Sequence, residues 1–412
     1  MDSAAKKPFV LTISMVVAMV AGMSAFVTFP ALLPTFQQEW ELSNTQAGWI
    51  SGIFFAGYVI TVPILTSLTD RMDPRRVFLA SMALSALAIA GFGLTASGVW
   101  TASFWRFIQG IGFAGTYMPG LKAITDLVPD RVRNRCVAWY TATFTVGSGV
   151  SFLLSGLLAA AYSWRLALGL LALGPVIGYI LAMIVLPKQP PRSSASDSRM
   201  MDFRPVLARP QAVAYMVAYG IHNAESSAMR AWAVALLVFS QHRQPSGMVG
   251  ADWSPTVIAT VANLLGLPAI LITNEIARRY RRPQVIATVM LLSALTGVAL
   301  GAFLHASFSI VLALIFLYGF MVPADSGSIN AGLVEVAPVT LRGANMALHA
   351  LFGFSGAFLG PLVFGVFLDL GGGVASQQGW VIAFIAFTVV AGLGAILLPI
   401  LAACSQQKMP LL

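Results

Sequence analysis

Charge is the scarcest property of this sequence. Of its 412 residues, 15 are acidic and 24 basic, so only 9% carry charge while 58% are hydrophobic. Apolar segments on that scale would leave more apolar surface than water tolerates, which excludes a soluble domain and points to a polytopic membrane protein. Cysteine is nearly absent as well. Cys136 and Cys404 stand far apart, so neither a disulfide framework nor a metal site is expected. The polar stretches hold no nucleophile triad, metal-ligand spacing or phosphate-binding loop. An enzyme reading therefore has no support, no cofactor is expected, and ATP is not the energy source. A net charge of +9 could suggest a nucleic-acid partner, but the bases are scattered through short loops and form no patch with interleaved aromatics, so none is expected.

What the sequence has is long apolar runs. A bilayer core about 30 Å thick needs about 20 residues of helix, and twelve segments qualify. In the first half they run from Phe9 to Phe36, Thr45 to Leu68, Val77 to Thr95, Thr101 to Thr125, Cys136 to Ala160 and Trp164 to Leu186. In the second half they run from Ala212 to Phe239, Ser254 to Ile276, Val285 to Phe303, Phe308 to Val334, Ala344 to Leu368 and Trp380 to Ala402. The fold class is all-α, and the first segment is read as retained because it is too long for a signal-peptide core. Residues 188–210 form the longest polar connection, rich in Ser, Pro and Arg, which reads as a flexible linker. It divides an N-terminal bundle, 1–187, from a C-terminal bundle, 211–412.

Orientation follows from the basic residues. With the N-terminus placed in the cytoplasm, 19 of the 24 Lys and Arg fall on that side and only Arg243 lies in an outer loop. The positive-inside rule then puts both termini in the cytoplasm. The two halves also repeat each other. A shift of 209 residues carries Asp126, Pro129 and Arg133 onto Glu335, Pro338 and Arg342, and Gly147 and Gly156 onto Gly356 and Gly365. Because the offset spans an even number of helices, the repeats are parallel, with a pseudo-two-fold axis along the membrane normal.

One loop concentrates the missing charge: Ser67-Leu-Thr-Asp70-Arg71-Met-Asp73-Pro74-Arg75-Arg76. It resembles the signature loop of the major facilitator superfamily, Gly-x-Leu-Ala-Asp-Arg-x-Gly-Arg-Arg, with Thr66 and Asp73 at the glycine positions. Arg106-Phe-Ile-Gln109-Gly110-Ile-Gly112 resembles that family's Arg-x-x-Gln-Gly-x-Gly segment, and Gly356-Ala-Phe-Leu-Gly360-Pro361 has its Gly-x-x-x-Gly-Pro form. The resemblance covers essentially the whole chain. It implies the major facilitator fold, two pseudo-symmetric six-helix bundles, and a secondary carrier working by alternating access with its substrate site between the bundles. It further implies a cytoplasmic gate in which Asp70 contacts Arg71 or Arg133 and the backbone near Gly343, supported by Arg75. Asp126, Glu335 and Arg342 are the repeat-related members of that set. Phe152 replaces a proline typical of the family's drug antiporters, and the first helix carries no acid, which argues against that subgroup.

Polar residues at membrane depth are costly unless they face a cavity or a partner. Arg106 is a candidate for attracting an anionic substrate or a coupling carboxylate, the alternative being that it braces helix oxygens. His222, Glu225 and Arg230 form the densest polar cluster of any span. His222 and Glu225 share a helical face by their spacing while Arg230 points elsewhere unless the helix breaks, and a buried carboxylate beside histidine could take up a proton. Asp325, just after Pro323, lies in a section read as kinked and either titrates, binds substrate or pairs with Asn345 or His349. Gly147, Gly156, Gly356, Gly360 and Pro361 are read as helix-packing positions between the halves.

The function expected is secondary active transport of a small solute, proton-coupled through Glu225 or Asp325, with a small organic anion favoured. The alternatives are a proton-coupled efflux antiporter for drugs or other lipophilic compounds and, from another class, a non-transporting membrane sensor. The expected setting is a bacterial-type inner membrane; the expected partners are the substrate, protons and lipid, with the chain acting as a monomer.

Overall fold

The computed structural model describes residues 3–188, 203–243, 250, 252–338 and 341–406, and every regular element among them is a helix. In chain order these are α1 (Ser3–Gly22), α2 (Thr28–Ala31), α3 (Leu33–Glu39), α4 (Asn44–Arg71), α5 (Pro74–Thr95), α6 (Val99–Leu127), α7 (Asp130–Thr141), α8 (Thr143–Ala161), α9 (Trp164–Leu171) and α10 (Leu173–Val185). They continue with α11 (Arg204–Leu207), α12 (Pro210–Gln241), α13 (Pro255–Leu264), α14 (Gly266–Arg279), α15 (Arg282–Ala302), α16 (Phe308–Ala324), α17 (Ser326–Val336), α18 (Arg342–Leu370) and α19 (Gln377–Gln406). Among the described residues, several abutting helices act as one kinked span, and counted in that way they make up the twelve segments expected. Most of the linker, 189–202, lies outside the described residues, as do the side chains of Asp70, Arg71, Arg342 and Cys404.

Among the described residues, nine helices are long and apolar enough by composition to cross a membrane. Two of the longest helices, α6 and α12, fall short of that standard. These carry Arg106, Lys122 and Asp126 in one case and His222, Glu225 and Arg230 in the other. The polar residues that lower their hydropathy are the candidates for function.

The first span departs from the single helix expected over Phe9 to Phe36. It breaks after Gly22 and resumes as α2 and α3. Pro30 has no N–H to give the carbonyl of Phe26, and Pro34 has none for Pro30, so the ladder cannot continue. Side chains stitch the break together instead: Ser151 Oγ accepts from the Val27 N–H at 3.0 Å, and Thr28 and Ser155 share a hydrogen bond of 2.7 Å. Ser24 Oγ donates to the Leu171 carbonyl at 2.6 Å, an oxygen that Pro175 leaves without its usual helical donor. In the tenth span the expected kink is present: α16 ends after Pro323 and α17 begins at Ser326, with Asp325 at the bend.

Backbone contacts group the chain into two compact units, one of Met1–Trp40 and Ile53–Ser196, the other of Glu41–Gly52 and Asp197–Leu412. Within the first, Phe26 is a hub whose ring meets Phe54, Phe55, Phe113 and Phe144 at centroid distances of 5.1 to 6.1 Å. Gly110 packs against the carbonyl of Phe54 where any Cβ would collide, so α4 and α6 touch backbone to backbone. Gly147 of α8 rests on Met23. In the second unit, Gly356 and Gly360 of α18 lie against the carbonyls of Gly220 and Ala224 of α12. Small residues spaced by four allow this approach, and here it serves packing inside one unit. Pro361 of the same helix gives its carbonyl to the Trp232 indole N–H at 3.1 Å, and Gly156 of α8 is half-buried.

Candidate functional site

Arg106 sits two turns into α6 and is 4% exposed. Its Nη1 donates to the Phe26 carbonyl at 3.0 Å and to Gln109 Oε1 at 2.8 Å, and the guanidinium lies 4.8 Å from the centre of the Phe54 ring. Gln109 Nε2 in turn donates to the Ala25 carbonyl at 3.1 Å. Arg106 and Gln109 therefore take the carbonyls exposed by the break in the first span, including the one that Pro30 orphans. Arg106 Nε has no hydrogen-bond partner, and no carboxylate pairs with Arg106 among the described residues. Together with Thr28 and Phe29, Arg106 and Gln109 line a small cavity in this unit. A buried cation with no counter-charge is costly to keep in a low-dielectric interior.

The second unit holds the acids. His222, Glu225 and Asp325 are 7%, 6% and 3% exposed. Glu225 Oε1 accepts from Ser293 Oγ at 2.7 Å and from Tyr318 Oη at 3.1 Å. These donors, one from α15 and one from α16, hold the carboxyl group in place. His222 Nδ1 lies 2.6 Å from Asp325 Oδ1, yet the angles fall outside those of a well-formed hydrogen bond. The contact is best counted as a charge contact, an ion pair when the imidazole is protonated. Asp325 thus meets His222, and not the Asn345 or His349 also considered from the sequence: His349 Nε2 bonds Asn330 Oδ1 at 2.8 Å, and Asn345 Nδ2 donates to the Leu341 carbonyl at 2.9 Å. The Tyr219 ring stacks on His349 at 3.9 Å.

The helix α12 runs unbroken from Pro210 to Gln241, so Arg230 does not swing onto the face of His222 and Glu225. It donates to Ser226 Oγ one turn back, at 2.7 Å. Tyr318 also lines a small apolar cavity with Met229, Trp232, Phe364, Trp380 and Phe384.

The loop charges have local partners. Arg75 Nη2 donates to the Met183 carbonyl at the end of α10 at 2.6 Å, and Arg133 pairs with Asp130. Glu335 accepts two hydrogen bonds from Arg282, at 2.7 and 3.1 Å. Asp126 is half-buried. Sequence reasoning also missed Ser293, Tyr318 and Asp369. Lone polar residues inside otherwise apolar spans were the available signal for the first two.

A sequence profile described as the Major Facilitator Superfamily matches residues 14–244 and matches again over 226–409. This chain belongs to the major facilitator superfamily. It is a multi-pass membrane transporter and not an enzyme. Among its relatives is the phosphoglycerate transporter protein of Salmonella typhimurium, 22% identical, with 89% of this chain and 85% of that protein aligned. The niacin transporter NiaP of Acinetobacter baylyi is 25% identical over 40% of this chain and 36% of its own length. Protein spinster of Drosophila melanogaster is 25% identical over 71% of this chain and 50% of that protein. Among solved structures, the nucleoside transporter NupG aligns with a TM-score of 0.72 over 97% of this chain and 100% of that one, at 14% identity. A bacterial homologue of the human lysosomal transporter Spinster, in an inward-facing and unoccupied conformation, gives 0.73 over 96% of both chains at 14% identity. At that identity these two show the shared fold.

Proposed function

We propose that this superfamily member is a proton-coupled secondary carrier that moves a small organic anion by alternating access, in a bacterial-type inner membrane with both termini cytoplasmic. The observation that carries the reading is the separation of charge within the spans: a buried Arg106 with no carboxylate partner among the described residues in one unit, and buried Glu225, Asp325 and His222 in the other. A cation left uncompensated in a low-dielectric interior favours an anionic visitor, whereas carboxylates that can be neutralised by a proton supply the coupling. Two relatives carry phosphoglycerate and niacin in their names, both acids, which is the chemistry this arginine favours.

The proton is held at Glu225, between Ser293 and Tyr318, and at the His222–Asp325 pair, whose two members sit on α12 and at the bend after Pro323. Arg106 recognises the cargo through Nε while Nη1 stays on Phe26 and Gln109. The test is thermal unfolding of the purified protein against a panel of metabolites and lipophilic compounds at pH 5.5 and 7.5, since specific binding at a hundredfold excess over Kd adds about 2.7 kcal/mol of stability. Carboxylate or phosphate hits that Arg106→Ala abolishes support the reading. Hits confined to lipophilic cations, lost with Glu225→Gln, would replace it with efflux antiport.

A further inference from the structure

Asp369, the penultimate residue of α18, receives four hydrogen bonds from two consecutive residues at the start of α4. Asn44 donates to Oδ1 through its backbone N–H at 3.1 Å and through Nδ2 at 2.7 Å; Thr45 donates to Oδ2 through its N–H at 2.8 Å and through Oγ1 at 2.6 Å. The contact and its surroundings, residues 44–52 and 358–369, belong to the same compact unit. No Lys or Arg pairs with Asp369 among the described residues, so the helix end itself is its counter-charge. The first N–H groups of a helix have no partner within it, and the dipole favours an anion there.

The helix does not need this acid to form. Ser43 and Gln46 already make a reciprocal capping box, with Ser43 Oγ accepting from the Gln46 N–H at 3.1 Å and Gln46 Oε1 accepting from the Ser43 N–H at 3.0 Å. Such a box satisfies two donors by itself, and the N–H groups of Asn44 and Thr45 that it leaves over are the ones that go to Asp369. Behind this contact α4 and α18 lie backbone to backbone: Gly365 abuts the Asn44 carbonyl, Gly48 the Pro361 carbonyl and Gly52 the Phe358 carbonyl, with Trp49 edge-on to Phe358 at 5.6 Å. After Gly52 the same helix passes into the other unit.

We infer that Asp369 is a detachable latch: its carboxylate clamps the self-capped first turn of α4 to the end of α18, and letting go of it frees residues 41–52 from that helix. The self-sufficient cap makes the contact breakable without unwinding α4, and the glycines give a close surface that holds without any other charge. This goes beyond the proposed cargo and coupling, and its test uses no cargo, so the latch and the transport reading fail separately.

The experiment measures the labelling rate of Ser51→Cys, buried at 4% exposure near the end of the second turn of α4, by a membrane-impermeant maleimide, in the full chain with Cys136→Ala and Cys404→Ala. In the parent the thiol is protected. Asp369→Ala removes the clamp, and Thr45→Asp keeps the capping box and a favourable acid in the first turn while repelling Asp369; each is expected to raise the rate at least tenfold. The same two variants are made in a chain that retains the native Cys136, 0% exposed in the first unit, as its sole thiol, and there Cys136 must stay unlabelled. Unchanged labelling of Ser51→Cys in either variant, or exposure of Cys136 in the control chain, overturns the latch.

Discussion

His222 Nδ1 stands 2.6 Å from Asp325 Oδ1, joining the middle of α12 to the bend between α16 and α17, and neither atom has a hydrogen bond to any other group. Two buried polar groups that depend on each other in this way should be coupled energetically. Asp325→Asn and His222→Gln are each expected to lower stability by about 1–3 kcal/mol, the cost of stranding a buried partner. The double variant should cost clearly less than the sum. Denaturant or thermal unfolding in detergent measures the cycle, and strict additivity would sink the pairing.

Glu225 depends on two donors from neighbouring helices. With Glu225→Gln, accumulation driven by a pH gradient should be lost while exchange of cargo across the membrane continues, because the amide cannot carry the proton. Ser293→Ala and Tyr318→Phe each remove one donor and should weaken accumulation by roughly tenfold, about 1.4 kcal/mol. Flux assays in proteoliposomes separate the two modes; normal accumulation in Glu225→Gln would remove this residue from the coupling.

Arg106→Ala removes the donor that answers the carbonyl orphaned by Pro30 as well as the expected anion ligand, so both stability and affinity should fall. Arg106→Lys separates the two effects. A lysine keeps the charge but lacks the planar fork that reaches Phe26 and Gln109 together, so stability should drop by about 1–2 kcal/mol while weak anion binding survives. Equal loss of binding in both variants would show that the fork, and not charge alone, reads the cargo.

The Arg282–Glu335 pair marks the other extreme. Its carboxylate is 60% exposed although the Arg282 side chain is 12% exposed, and ion pairs with a solvent-exposed member contribute about 0–1 kcal/mol and weaken with salt. Arg282→Ala should therefore move the unfolding temperature little, and less still at high ionic strength. A large loss would mean that Asn274, which Arg282 also approaches at 3.4 Å, matters more than the ion pair.

Much of this was legible in the sequence because membrane proteins obey few rules strictly. Twelve apolar spans, the repeat offset, the kink after Pro323 and the polar stretch of α12 follow from composition and spacing alone. The break in the first span was not seen, although Pro30 and Pro34 were both visible: a proline announces an orphaned carbonyl but not whether a neighbouring helix can answer it. Arg106 shows the same limit. Its depth could be counted along α6, but its engagement with Phe26 depends on where α6 meets a break that lies 80 residues earlier in the chain.

The sequence by itself determined that the chain lives in a bilayer, where its apolar spans fall, and which polar residues lie inside them, because helix length and hydropathy are local quantities. Tertiary structure alone decided partners. It paired Asp325 with His222 and left His349 to Asn330, placed Ser293 and Tyr318 on Glu225, and brought Asp369 to the start of α4 across 325 positions of sequence. Side-chain contacts between helices are set by how glycine-lined surfaces meet and which faces turn inward, and nothing in the one-dimensional pattern encodes that registry.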